Sequence, residues 1–280
     1  MKIIDTHLHF EQGGYWDVIA EEAGHVNTAA HLADTYKEHN VVHGIVMGNK
    51  AITETNCEYP QHLSYCVGIG HQTFDFNRIE EQMPLLEEHL RRDTCVGIKF
   101  YPGYSYFYIY ESRFDPIYEL AEKYNKPVAV HTGLTATDTA LLKYSHPMVL
   151  DDAAVRHPHV QFVMCHMGEP WFMDAVAVMM KNQNVAADLS GILAGKLPDE
   201  EAFYRKNAYF VEQLKGQLTI LQDYSRFMFG TDWPLANYGD YINFTKHIVP
   251  EEAWEAVFYE NAKRIYRPKE LLLFKNSIKI

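Results

Sequence analysis

The chain has 280 residues, 47% of them hydrophobic and 14% aromatic, which is enough for one large α/β core or two small domains. With 25 basic and 37 acidic residues the formal net charge is −12, and no basic stripe is interleaved with aromatics, so the composition argues against nucleic acid as a partner. No apolar run reaches membrane-spanning length, the first strand begins too early for a signal peptide, and the cysteines Cys57, Cys66, Cys95 and Cys165 lack C-x-x-C spacing. The expectation is a cytoplasmic protein without a membrane partner, most of its thiols free and buried.

In chain order, apolar β-rich runs occur at 2–7, 41–48, 63–70, 95–100, 127–132, 160–166, 184–189 and 226–231. Helical spacing appears between them at 28–39, 77–90, 114–124, 171–181 and 199–222, and again at 250–266. The strand candidates are continuously apolar rather than alternating, which suits parallel strands covered on both faces. This α/β pattern predicts a (β/α)₈ TIM barrel, a single domain over 1–280 closed by the C-terminal helix. A doubly wound sheet would carry G-x-G-x-x-G after its first strand, where this chain reads "THLHFEQGG".

In such a barrel the chemistry gathers at the C-terminal ends of the strands. The first strand, "IIDTHLHF", ends in His7 and His9, the fourth in Lys99 ("VGIKFYP") and the fifth in His131 ("VAVHTG"). The sixth ends in His166 ("VMCHMG") and the eighth in Asp232 ("FGTDWP"). Strand side chains alternate, so Asp5, His7 and His9 are expected on one face and Leu8 and Phe10 on the other. Two imidazoles one pleat apart, joined by His131 and Asp232, can enclose one divalent ion. Nitrogen and oxygen donors suit zinc first, with manganese, iron, cobalt or nickel as alternatives. Any one of these histidines alone is as readily a hydrogen-bonded core residue; the ordered set is what points to a metal. His71, ending the third strand, is one further histidine placed to face the site.

The loop "YPGYSYFYIYESRF" carries Tyr101, Tyr104, Tyr106, Tyr108 and Tyr110. Tyr101 and Tyr104, nearest the strand, are candidate substrate-binding residues together with Trp171 and Trp233, which follow the sixth and eighth strands. The outer tyrosines are expected to cover the barrel rim.

Taken in order, "DTHLH", "GIKFYP", "HTG", "CHMG" and "GTDWP" resemble the amidohydrolase superfamily. More narrowly they resemble its amidohydrolase-related branch, with aminocarboxymuconate-semialdehyde decarboxylase-like and pyrone-dicarboxylate hydrolase-like members. The resemblance runs from residue 2 to about 266, where "FYENAKRIY" is similar to the closing helix of many members. It implies a mononuclear site held by His7, His9, His131 and Asp232, with His166 as the acid/base or substrate-polarising histidine and Asp5 as a hydrogen-bonding support behind the ligands or a structural group at the barrel floor. Lys99 then has three readings: an ammonium for a substrate carboxylate, a carboxylated bridge between two metals, or a structural ion pair. TatD-type nucleases usually carry glutamate where this chain has Lys99, and the further motifs of polymerase-and-histidinol-phosphatase domains are not in order here.

The function these residues imply is hydrolysis of an amide, ester or lactone in a small, carboxylated substrate by metal-activated water. Asp232 would take the proton of the attacking water, and His166 would hydrogen-bond to the substrate oxygen or donate a proton to the leaving group. The alternative is a non-oxidative decarboxylase on the same site, and a third is a silent ligand-binding barrel. The expected partners are a small-molecule substrate and, at most, a second copy in a homodimer.

Overall fold

The computed structural model describes residues 1–53 and 58–268, and Cys57 lies outside them. Its strands are β1 (Ile3–Leu8), β2 (Val41–Met47), β3 (Leu63–Ile69), β4 (Cys95–Phe100), β5 (Val128–Val130), β6 (Phe162–Met164), β7 (Val185–Asp188) and β8 (Phe227–Met228). The helices are α1 (Tyr15–Glu22), α2 (Ala29–Glu38), α3 (Ile79–Arg91), α4 (Asp115–Lys123), α5 (Val149–Arg156), α6 (Phe172–Lys181), α7 (Glu200–Lys206), α8 (Ala208–Leu221), α9 (Tyr238–Ile248) and α10 (Asn261–Tyr266). The strands form one parallel sheet in sequential order, β1 to β8. β8 is only two residues long, so the seam with β1 closes through the backbone that follows it. Thr6 N–H donates to Phe229 O (3.0 Å), Asp232 N–H to His7 O and His9 N–H to Trp233 O (both 2.8 Å). The result is the expected single-domain (β/α)₈ barrel.

Burial divides the core into two shells. Ile4, Ile45, Met47, Cys66, Val96, Ala129, Val163, Cys165, Ala186 and Met228 form an inner cluster, joined by Ala262, Ile265 and Tyr266 of α10. The alternate residues, Ile3, Leu8, Val46, Val67, Ile98, Val130 and Phe227 among them, pack outward against the helices. Parallel strands buried on both faces explain the continuous apolar runs.

β1 departs from simple alternation. Asp5 pairs with Gly44 and Leu8 with Val46, so three steps along β1 oppose two along β2, a β-bulge. Asp5 therefore faces the helical layer, not the face of His7 and His9. Its carboxylate accepts from Tyr238 Oη and Thr231 Oγ1 (both 2.6 Å), Thr231 N–H (3.0 Å) and His7 N–H (3.2 Å). The helix expected at 199–222 breaks at Asn207 into α7 and α8. The one expected at 250–266 is a 3₁₀ turn, a π turn and α10 in succession. α1, α5 and α9 lie in stretches that the sequence pattern left unassigned.

Candidate metal centre

His131, His166 and Asp232 follow the last residues of β5, β6 and β8 by one, two and four positions, so they stand just above the ladder. His166 (φ 60°), Met167 (φ 45°) and Asp232 (φ 58°) are left-handed although none is glycine. Such conformations cost about 1 kcal/mol or more each and persist where the surroundings over-determine them.

His7, His9 and Asp232 come together: one donor atom from each lies within 4.8 Å of the others. Asp232 Oδ1 stands 3.3 Å from His9 Nε2 and 3.5 Å from His7 Nε2. Both His7 Nε2 and Asp232 Oδ1 are fully buried without a hydrogen-bond partner among the described residues. Unpaired buried polar atoms are costly, and two of them converging with a third donor fit the coordination of a divalent cation.

The protonation states suit that use. Burial, reinforced by the Lys99 charge, pushes the His7 imidazole down to about 3. Burial, then the neighbouring His166 and Lys99, pushes His131 well below the ordinary imidazole range, and burial also lowers His166. Burial alone would raise the Asp232 carboxyl; the imidazoles of His7, His9 and His166 hold it below the usual carboxylate range. Neutral imidazoles and an ionised carboxylate are the ligand forms.

His131 and His166 flank this trio. The His166 ring lies 4.6 Å from the His7 ring and 5.0 Å from the His131 ring, centroid to centroid. His131 Nε2 donates to Leu134 O (3.0 Å), so its lone pair is on Nδ1, and it stands outside the tight trio. The Tyr104 ring packs on His131 at 4.9 Å, while Tyr101 donates to Gly48 O (3.1 Å) beside the Lys99 ammonium.

Three further expected substrate contacts have packing partners outside the trio. Lys99 is fully buried and pairs with Ala129, two residues short of His131, one layer deeper in the barrel. Its Nζ donates to Cys165 Sγ (2.9 Å), and among the described residues it makes no ion pair. Trp233 is 1% exposed and packs tilted against His25, ring centroids 4.2 Å apart, within the outer core cluster. Trp171 packs on His146 (4.7 Å). Tyr106 and Tyr108 pack on Tyr144 at the rim, and His71 is exposed beside Ser105.

Several side chains at the site carry no motif. Trp16 packs at a tilt on His9 (4.8 Å), and the Asn49 amide lies 3.1 Å from His9 Nδ1. Asp188, at the end of β7, accepts from His7 Nδ1 (3.0 Å) and His166 N–H (2.9 Å). A carboxylate at a strand end was the signal available for it. Gly191 (φ +66°) lies so close that a Cβ there would come within 2.6 Å of His166 Nδ1 and 3.2 Å of Asp232 Oδ2.

A closed parallel barrel with imidazoles and a carboxylate gathered over its strand ends is the architecture of a barrel enzyme. The amidohydrolase family model matches residues 4–267, and the chain belongs to that metal-dependent family. Protein FluG of Emericella nidulans is 27% identical over 160 residues, covering 52% of this chain and 18% of that protein, so the chain spans under a fifth of its length. An uncharacterized TIM-barrel protein from Bordetella bronchiseptica superposes with a TM-score of 0.71 at 19% identity, covering 96% of this chain and 99% of its own. A probable 2-pyrone-4,6-dicarboxylic acid hydrolase from Acinetobacter baumannii gives 0.62 at 18% identity (95% and 100%). The 2,6-dihydroxybenzoate decarboxylase from Rhizobium gives 0.66 at 13% (96% and 99%). At these identities the three structures share the fold; hydrolases and decarboxylases both use it.

Proposed function

We propose that the protein is a metal-dependent hydrolase acting on an amide, ester or lactone of a small substrate, with zinc as the ion. The observation that carries the reading is the pair of buried, unpartnered atoms His7 Nε2 and Asp232 Oδ1 converging with His9 Nε2. His7, His9 and Asp232 would hold the ion, with His131 offering Nδ1. When bound, a divalent ion acidifies water and polarises a substrate oxygen.

The chain's own groups supply the rest. Asp232, held ionised, accepts a proton from the attacking water through the carboxylate edge not used for the ion. His166 faces the reacting group and moves the proton to the leaving atom. Tyr104 and Trp16 offer aromatic surface beside His131 and His9 for a planar or cyclic substrate. A substrate carboxylate bound by Lys99 has no support, because that ammonium is sealed against Cys165. The free buried thiols Cys66, Cys95 and Cys165 suit a reducing compartment, which supports a cytoplasmic location.

The test is a screen of lactones, esters, amides and aromatic acids in ¹⁸O-water on protein of known metal content. The expected result is about one equivalent of zinc and label in the product acid. Release of CO₂ without label would replace this reading with the decarboxylase. Less than about half an equivalent, with no gain on reconstitution, would overturn both.

A further inference from the structure

We propose that Asp188 and Ser190 are the positioning residues of this site, fixing which nitrogen of His7 and of His166 carries the proton. One carboxylate reaches both imidazoles. Asp188 Oδ2 faces His7 Nδ1 at 3.0 Å, and an ionised carboxylate can only accept. His7 therefore carries its proton on Nδ1 and turns the Nε2 lone pair to His9 and Asp232. The other oxygen, Oδ1, accepts from His166 N–H (2.9 Å), from Ser190 N–H (3.2 Å) and from the Ser190 hydroxyl.

Since the Ser190 hydroxyl spends its hydrogen on Asp188, its oxygen is left as an acceptor toward His166 Nδ1, 2.9 Å away. The carbonyl of Ser190 lies 3.2 Å from the same nitrogen and can only accept. Two acceptors on one ring nitrogen make it a donor, so neutral His166 is the Nδ1–H form. Its Nε2, which has no hydrogen-bond partner among the described residues, is a lone pair. The same Oδ1 also holds the backbone N–H of His166 in its left-handed conformation. His166 thus starts turnover as a proton acceptor and can donate from Nε2 only after taking a proton there. Support of this kind behind ligand imidazoles is worth roughly 10–100-fold in affinity or rate. The tautomers stand on hydrogen bonds alone; their consequence for turnover rests on the hydrolytic reading above.

The decisive experiment is NMR of ¹⁵N-histidine-labelled protein, metal-free and zinc-loaded, distinguishing protonated from bare ring nitrogens. Nδ1 of both His7 and His166 is expected to be protonated. In Ser190→Ala, which keeps only the longer carbonyl contact, His166 should show a mixture of tautomers. There kcat should fall about 10-fold, with KM within about twofold and zinc content unchanged, and Ser190→Thr should restore both signal and rate. Asp188→Asn should weaken zinc about 10–100-fold; if it does not fold, the Ser190 variants decide. A proton on Nε2 of His166 in the unaltered protein would overturn the proposal, as would a Ser190→Ala protein with unchanged tautomer and kcat. Failure of the hydrolytic reading leaves the NMR result standing on its own.

Discussion

The backbone at Gly191 makes two demands that only glycine meets. Its φ of +66° disfavours a side chain, and a Cβ would intrude to 2.6 Å from His166 Nδ1. Gly191→Ala should therefore cost about 1–3 kcal/mol in urea unfolding and displace His166 enough to lower kcat/KM about 100-fold, with zinc still bound. A fully active variant would show that His166 tolerates displacement. The convergence of His7, His9 and Asp232 was legible because two histidines at strand spacing, and an aspartate in "GTDWP", break apolar strands conspicuously. Asp188 breaks "VAADLSG" as plainly. It was missed because a single carboxylate there forms no motif until the barrel sets it beside His7.

Among the elements, β1 shows where alternation fails. Asp5, His7 and His9 share one parity in the sequence, and the bulge sends Asp5 outward to tie β1 to Thr231 and Tyr238. Bulges leave no mark in hydrophobic periodicity, so the existence of the strand was readable and its facing was not. Replacing Asp5 by Ala should remove four hydrogen bonds and cost roughly 3–5 kcal/mol, measured by urea unfolding, since their buried donors lose their partner. α8 offers the opposite case. Gly216 is exposed on that helix, and apart from its own helix backbone and chain neighbours no atom of the described residues lies within 4 Å of an added Cβ. Gly216→Ala should stabilise by about 1 kcal/mol and raise Tm by about 2–4 °C without altering kcat, read by calorimetry and assay.

At the scale of the molecule, the barrel buries imidazoles that must stay neutral, and this sets its response to acid. The eightfold β/α order was readable because each buried parallel strand is an apolar run. The neutrality of these histidines was not, since it depends on what the closed barrel packs around them. His43 shows the effect away from the metal centre: it is 1% exposed on β2, its Nε2 is 2.8 Å from Ser64 Oγ, and burial lowers it to about 4. A folded value below the unfolded 6.5 means the native state resists protonation. Its contribution is fully present above pH 6.5 and is lost as pH falls toward 4, at up to about 1.4 kcal/mol per pH unit and about 3 kcal/mol in all. Asp5, raised to about 6 by burial, works the other way, gaining as its carboxyl protonates. His43→Gln retains a donor for Ser64 and removes the titration, so the difference between the two proteins isolates His43. Urea unfolding of the metal-free proteins from pH 7 to 4.5 should show a shallower loss for the variant, by nearly one proton's slope below pH 6. Parallel curves would mean that His43 is charged or solvated in the folded barrel.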